Sequence, residues 1–219
     1  MLSREKLWKL SSAARANGWT FDQQHLPSDI NDAQVFPDAA KIFRALELVS
    51  PAQVKTVIVG QDPYFSLSAG GKPHATGVAF AVAGQDAPSS LQRIKAHVYP
   101  KGQGENDLAD WVDSKGLLLL NAGLTVPATG GREAAGKHLR HWREFFKSVI
   151  NQAHEASPRA VVVAWGTKAR DASASALGID WQSPPPWFDW TYHPVAPKSG
   201  PHSFTNFWIT PAGKALVMR

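Results

Sequence analysis

Residues 55–65 read KTVIVGQDPYF, a β-branched run that stops at Gly60 and empties into a turn carrying an amide, a carboxylate and a phenol at Gln61, Asp62 and Tyr64. Together these groups can move protons, balance charge and hold a polar ligand by hydrogen bonds. The same letters also suit a plain turn, because Asp before Pro caps the residues that follow it. Three further apolar runs end in the same manner: Asn121 follows LLLL, Gly166 and Thr167 follow AVVVAW, and His193 follows FDWTY. An imidazole exchanges a proton near neutral pH, although His193 beside Pro194 also reads as a packed histidine, and NAGLT as an ordinary β-turn. One strand end with polar groups is commonplace. Four in one chain, each delivering a different group, form a constellation.

Such groups need a scaffold, and the pattern predicts one. Residues 56–59 suit a strand covered on both faces, and Pro63 prevents a regular ladder from continuing. Residues 117–120, 160–164 and, more weakly, 188–192 read the same way, with helical patterns at 89–97, 139–153 and 168–176 between them. Strand–helix–strand alternation predicts an α/β fold with a parallel sheet and right-handed crossovers. Ligands of such sheets sit beyond the carboxyl ends of the strands, where all the polar groups fall. Upstream, residues 3–18 read as a helix with Ser3 as its N-cap and Gly18 as its stop, and residues 39–48 as another. Residues 78–82 are expected to lie extended beside the sheet. Residues 66–76, 127–136 and 196–202 are expected as flexible loops around one crevice.

Composition narrows the function classes. The chain has 219 residues and 43% hydrophobic content, enough for one large domain over residues 1–219. Its 23 Lys and Arg exceed 18 Asp and Glu, and a formal charge of +5 permits a nucleic-acid partner. Cysteine is absent, which excludes disulfides, thiolate metal sites and a Cys nucleophile and points to an intracellular, cytoplasmic protein. No stretch approaches the roughly 20 apolar residues of a membrane span, so no membrane association is expected. Nine Trp and 16 Pro are unusual, with seven of the Trp in the second half and seven of the Pro between residues 184 and 211; most of the Trp read as packing, with base stacking as the functional alternative.

The upstream VFPDAAKIFRALELVSPAQVK is followed in order by VIVGQDPYF, GVAFAV, APSSLQRI, GLLLLNAGLTV, VVVAWGTKA and HPVAPKSG, the set covering about residues 35–207. The set resembles the uracil-DNA glycosylase family marked by GQDPYH, LLLN and HPSPLS motifs. The resemblance implies a three-layer α/β/α sandwich with a central four-stranded parallel sheet, and hydrolysis of the N-glycosidic bond of a uracil flipped out of DNA. It implies no metal and no organic cofactor. Implied partners are single- or double-stranded uracil-containing DNA and a DNA-mimic inhibitor protein, with the enzyme a monomer, nucleoid-associated if bacterial.

Residue by residue, the resemblance makes Asp62 the group that positions a water and offsets positive charge on the sugar, and His193 the donor to uracil O2. Asn121 would pair with uracil O4 and N3–H, Tyr64 would exclude a C5 methyl, Phe80 would stack on the base, and Gln61 would contact it mainly through its backbone. Ser89, Ser90, Gly166, Thr167 and Ser199 would grip phosphates. The chain departs from the family at Phe65, where a His is usual, and His74 in the lengthened loop is a candidate replacement. Val195 replaces a phosphate-gripping Ser, and no Leu is available as a wedge, which leaves Pro197 or Lys198 at the loop tip. These changes leave two alternatives open: a glycosylase for another modified pyrimidine, and a non-catalytic DNA- or damage-binding protein. Retention of Asp62, Asn121 and His193 together speaks against the second.

Overall fold

Apolar runs of four or five residues, bounded by glycine and polar turns, are too short for helices and become strands. The computed structural model describes residues 1–99 and 104–218. In it β4 (Thr56–Gly60), β5 (Leu117–Asn121), β7 (Val161–Trp165) and β8 (Phe188–Thr191) form one sheet in the order β5-β4-β7-β8, every pair parallel. The other strands form two short antiparallel ladders: β1 (Leu2–Ser3) with β2 (Asp29–Ile30), and β3 (Val35–Phe36) with β6 (Val126–Pro127). The parallel order requires crossovers, and helices on both faces supply them, giving the expected three-layer α/β/α sandwich.

The helices fit because their apolar residues recur at helical spacing. α6 (Leu139–Ala156) buries Trp142, Phe145, Phe146, Val149, Ile150 and Ala153 along one stripe, and α4 (Ser89–Val98) buries Leu91, Ile94 and Val98. α5 (Ala109–Lys115) packs against β5, and α7 (Thr167–Leu177) against β4, β7 and β8. α8 (Phe204–Phe207) and α9 (Pro211–Leu216) close the chain, and Leu216 accepts the indole N–H of Trp111. Among the described residues no helix is long and apolar enough to cross a membrane.

Several expectations change in the structure. The helix expected over residues 3–18 is two, α1 (Arg4–Leu10) and α2 (Ser12–Ala16), because the Ser11 hydroxyl donates back to the Trp8 carbonyl at 2.9 Å and ends the first one. Ser3 does cap α1, and Gly18 follows α2 with φ +94°. Residues 39–48 form a 3₁₀ turn and then α3 (Arg44–Leu48), interrupted at Phe43. Residues 78–82 do lie beside the sheet, since the Ala79 amide donates to the Leu119 carbonyl, but they fold as a turn rather than an extended piece. Phe80 takes φ +65° there, a conformation a bulky residue adopts only when its surroundings impose it. Residues 127–136 are no open loop: Pro127 belongs to β6, and a 3₁₀ turn spans Gly131–Ala134.

Candidate active site

In-register pairing sets Gly60 at the end of β4 opposite Asn121 at the end of β5. The chain leaves both strands along the same edge of the sheet, and the segments after β4, β5 and β8 enclose a cavity of about 310 Å³. Gln61, Asp62, Tyr64, Phe80, Asn121 and His193 all line it. The six residues expected to carry chemistry and base contacts therefore meet in one place.

Asp62 is held from a distance, not by its own turn. Its Oδ2 accepts the Gly136 amide at 2.7 Å and the Gln61 side-chain amide at 2.8 Å. Its Oδ1 is buried with no hydrogen-bond partner among the described residues. The turn-capping alternative fails, because neither donor belongs to the residues that follow Asp62. Burial pushes the Asp62 carboxyl above the usual carboxylate range; the two donors and the nearby His138 oppose that shift without cancelling it. A buried acceptor without a partner costs roughly 1–3 kcal/mol, and such a cost is tolerated where the atom has work to do. Gly123 leaves it room: a Cβ at that position would stand 3.1 Å from Oδ1 and 3.4 Å from Leu139 Cδ2.

Asn121 is buried, and its side-chain amide bonds to no other described residue, so the turn-closing alternative fails as well. Its amide donor and carbonyl acceptor are both left unspent. Gly60 is required here by close approach, since a Cβ would collide with Asn121 Oδ1 and lie 3.3 Å from the Phe80 ring. The Phe80 ring is tilted against Trp165, with centroids 5.2 Å apart, which fixes an aromatic wall above the strand ends.

The Tyr64 hydroxyl bonds to Ser90 Oγ at 2.8 Å and donates to the Phe80 carbonyl at 3.3 Å, and burial pushes its pKa up to about 12. The phenol is thus a fixed neutral wall, not an acid. This corrects the reading of Ser90: its hydroxyl points inward to Tyr64, and only its backbone remains for a phosphate. Ser89 stands at the first turn of α4, where amide groups have no intrahelical acceptor.

His193 sits exposed at the cavity mouth, which sets aside the packed-histidine alternative. The surrounding walls still lower its pKa below the ordinary histidine value, and its Nδ1 accepts the Val195 amide at 3.4 Å. That bond leaves the proton of the neutral ring on Nε2, the tautomer suited to donation. Gly166, with φ +117°, packs behind it: a Cβ there would be 3.5 Å from His193 Cβ. Thr167 is exposed at the start of α7, and Pro197, Lys198 and Ser199 are exposed in the loop beyond His193. The apolar side chain of that loop that lines the cavity is Val195, 41% exposed; Pro197 and Lys198 stand outside its lining.

His74 does not replace the family histidine beside Asp62. Its Nδ1 pairs with Ser66 Oγ at 2.9 Å and its ring meets Tyr64 edge-on. Phe65, at the usual histidine position, packs against the small apolar cluster of Phe36, Ala75, Val126 and Ala134. Sequence reasoning missed the groups that actually support Asp62. Gly136 contributes only a backbone amide, which no residue type advertises. His138 lies in a buried chain: Trp142 Nε1 donates to Thr125 Oγ1 at 2.8 Å, Thr125 pairs with His138 Nδ1 at 2.9 Å, and His138 Nε2 pairs with Asp32 at 2.8 Å.

A family model described as the uracil DNA glycosylase superfamily matches residues 47–211. A uracil-DNA glycosylase of Streptococcus sanguinis is 38% identical over 143 residues, covering 64% of this chain and 62% of that protein. One from Lactococcus lactis subsp. lactis is 36% identical over 144 residues, with the same two shares. The chain thus spans less than two thirds of the length of these relatives. Among solved structures, a mimivirus uracil-DNA glycosylase is 25% identical with a TM-score of 0.58, covering 73% of this chain and 56% of that one. A variant of the mimivirus enzyme solved in complex with UGI superposes with a TM-score of 0.60, covering 75% and 59%. The wild-type UNG of Nitratifractor salsuginis matches in fold, with a TM-score of 0.62 at 17% identity over 97% of this chain and 98% of that one.

Proposed function

The chain belongs to the uracil-DNA glycosylase superfamily, and from that premise we propose that it hydrolyses the N-glycosidic bond of uracil flipped out of DNA, leaving an abasic site for base-excision repair. The observation that carries this reading is that Asp62, whose buried Oδ1 has no hydrogen-bond partner among the described residues, and Asn121, whose side-chain amide is unspent, line one cavity. One group suits a water aimed at the sugar, the other a base edge.

Cleavage leaves positive charge on the sugar and negative charge on the base. The Asp62 carboxylate, fixed through Oδ2, offsets the first with Oδ1 and orients the attacking water. The His193 Nε2–H points its dipole at base O2 as charge develops there, without needing a cationic ring. Asn121 donates to O4 and accepts from N3–H, whereas cytosine would leave both groups mismatched at about 1–3 kcal/mol each. Phe80 covers the base face, and the Tyr64 ring, immobilised through its hydroxyl, occupies the C5 side where thymine carries a methyl.

Flipping a base out costs a few kcal/mol, which phosphate contacts and the cavity must offset. Ser89 at the cavity, Gly166 and Thr167 beside His193, and Ser199 in the loop beyond it suit those contacts. We take residues 1–219 as one unit, monomeric and cytoplasmic, whose partners are DNA and, by analogy with the UGI complex of the mimivirus relative, a DNA-mimic inhibitor protein. The test is release of base from single- and double-stranded oligonucleotides carrying uracil, thymine or 5-substituted uracils, read by alkaline cleavage of abasic sites. Uracil release with thymine untouched is expected. DNA binding without release of any base would overturn the reading, and preference for a substituted base would shift it to another pyrimidine.

A further inference from the structure

We infer that Asp32 and His138 are a positioning pair for Asp62, a clamp on the turn that carries the Gly136 amide. The inference rests on the glycosylase reading above and adds to it two residues that do not line the base cavity. Asp32 also lies upstream of residues 47–211, which the family model matches.

The Gly136 amide is one of the two donors that fix Asp62 Oδ2, yet little holds the segment that carries it. Between Pro127 and Leu139 only Ala134 and His138 are buried; every other residue there is exposed or half-buried. Gly136 itself takes φ +81°, and a glycine gives up more backbone freedom on ordering than any other residue. Placement of this amide therefore depends on the two anchors that flank it. Both lead to the same upstream segment, residues 32–36. Ala134 belongs to the small apolar cluster that includes Phe36, and His138 Nε2 meets Asp32 Oδ2 at 2.8 Å. That segment is in turn zipped to the chain just before the turn: the Gln34 carbonyl accepts the Ala128 amide at 3.0 Å, and β3 pairs with β6, Val35 opposite Pro127 and Phe36 opposite Val126.

The bonds of His138 have one arrangement that leaves no buried polar group in the chain unpaired. Thr125 is fully buried and its oxygen accepts the Trp142 indole N–H, so its own hydrogen goes to His138 Nδ1. Nε2 then carries the imidazole proton and donates it to Asp32. A ring N–H buried without an acceptor is costly, so loss of Asp32 shifts His138, and Gly136, two positions before it, shifts as well. Asp32 is also the member that can be removed without opening the core. Its side chain is 38% exposed, whereas Trp142, Thr125 and His138 are buried.

The experiment compares Asp32→Ala with Asp32→Asn, which keeps an oxygen acceptor, and with Asp29→Ala, which removes the same charge from an exposed position close by in the chain. Two quantities are measured: the single-turnover rate of uracil release, with its half-saturating concentration, and the hydrogen-exchange rate of the Gly136 amide. A misplacement near 1 Å can cost about 10²-fold, so loss of one of two anchors should slow Asp32→Ala by about tenfold with half-saturation unchanged. Asp32→Asn should stay within about threefold of the native rate and Asp29→Ala within about twofold, because neither leaves the imidazole N–H without an acceptor. Gly136 exchange should be at least about tenfold faster in Asp32→Ala and native-like in Asp29→Ala. In an Asp62→Ala background nothing remains to be positioned, so adding Asp32→Ala should change the rate by less than about twofold. Equal losses from Asp32→Ala in the native and Asp62→Ala backgrounds would overturn the proposal, since the pair would then act through the fold at large. A native-like rate in Asp32→Ala would overturn it too. If the native protein releases no base, the glycosylase reading falls and Gly136 exchange alone decides the clamp: faster exchange in Asp32→Ala supports it, and unchanged exchange overturns it.

Discussion

The floor and the rim of the base cavity are built from different material. The floor consists of strand ends, Gly60 to Asp62 and Asn121, fixed by the register of β4 against β5 and by the Gly136 and Gln61 bonds to Asp62. The rim consists of the loop beyond His193, from Val195 to Ser199, and the turn at Ser89. Floor groups have one geometry, enforced from several sides at once. Rim groups are backbone amides and hydroxyls that different residues can supply. The difference assigns chemistry and base choice to the rigid part and grip to the adaptable part. Substitutions in the floor should therefore be sharp in effect, and those in the rim graded.

The largest expected effect is at the most constrained atom. Asp62→Asn should lower single-turnover excision by about 10²–10⁴-fold, the range for a positioned acid–base group. It should also stabilise the fold, because burial raises the native pKa of Asp62 and keeping it ionised destabilises the native state. The direction follows from the shift: a raised native pKa means the penalty exists above that pKa and disappears once the group is protonated in both states. The melting temperature of Asp62→Asn should exceed the native value at pH 7–8, and the two should converge below about pH 4, near the unfolded carboxyl pKa. Equal activity in the variant would move catalysis away from the floor altogether.

Gly60→Ala tests whether the floor is as tight as its geometry states. The new Cβ collides with Asn121 Oδ1 and presses on the Phe80 ring, so one of them must move. Displacement of about 1 Å at a site of this kind can cost near 10²-fold in rate, and overpacking costs about 1–3 kcal/mol in stability. A matched change on the rim, Ser199→Ala, should cost less than about tenfold, as expected for loss of one exposed phosphate contact. Asn121→Asp sits between these in effect: uracil release should fall by about 10–100-fold from one mismatched hydrogen bond, with measurable release of cytosine. Unchanged base choice in Asn121→Asp would remove Asn121 from the pairing edge.

The same contrast explains what could be read from the sequence. The strands were legible because β-branched and leucine runs have only one good home, a sheet covered on both faces. Asp62, Asn121, Phe80 and His193 were legible because each stands at or near the end of such a run or in a motif tied to it. The support of Asp62 was not legible, since the Gly136 amide arrives from 74 positions away through a turn with no side-chain signature. The left-handed Phe80 was hidden for a related reason: GVAFAV has strand propensity, and tertiary packing over Gly60 overrides it. His74 misled because shared type and nearness in sequence do not fix where an imidazole points.

The smallest effect expected on rate is at the position where the chain departs most visibly from its family. Phe65→His restores the usual residue, but the surroundings have changed with it: position 65 packs on Phe36, Ala75, Val126 and Ala134. An imidazole there gives up apolar contact, at a cost of about 1–2 kcal/mol for a half-buried aromatic side chain. Asp62 Oδ2 already has two donors, so a third adds little to its orientation, and excision at neutral pH should change by less than about threefold, well under one lost catalytic hydrogen bond. The sharper readout is pH. An imidazolium near Asp62 favours its ionised form, so the acidic limb of the excision profile should move to lower pH in Phe65→His, while a neutral Phe65→Gln should leave it in place. A large gain in rate with no shift of that limb would mean that position 65 acts on the substrate directly, and the boundary between floor and rim would then have to include it.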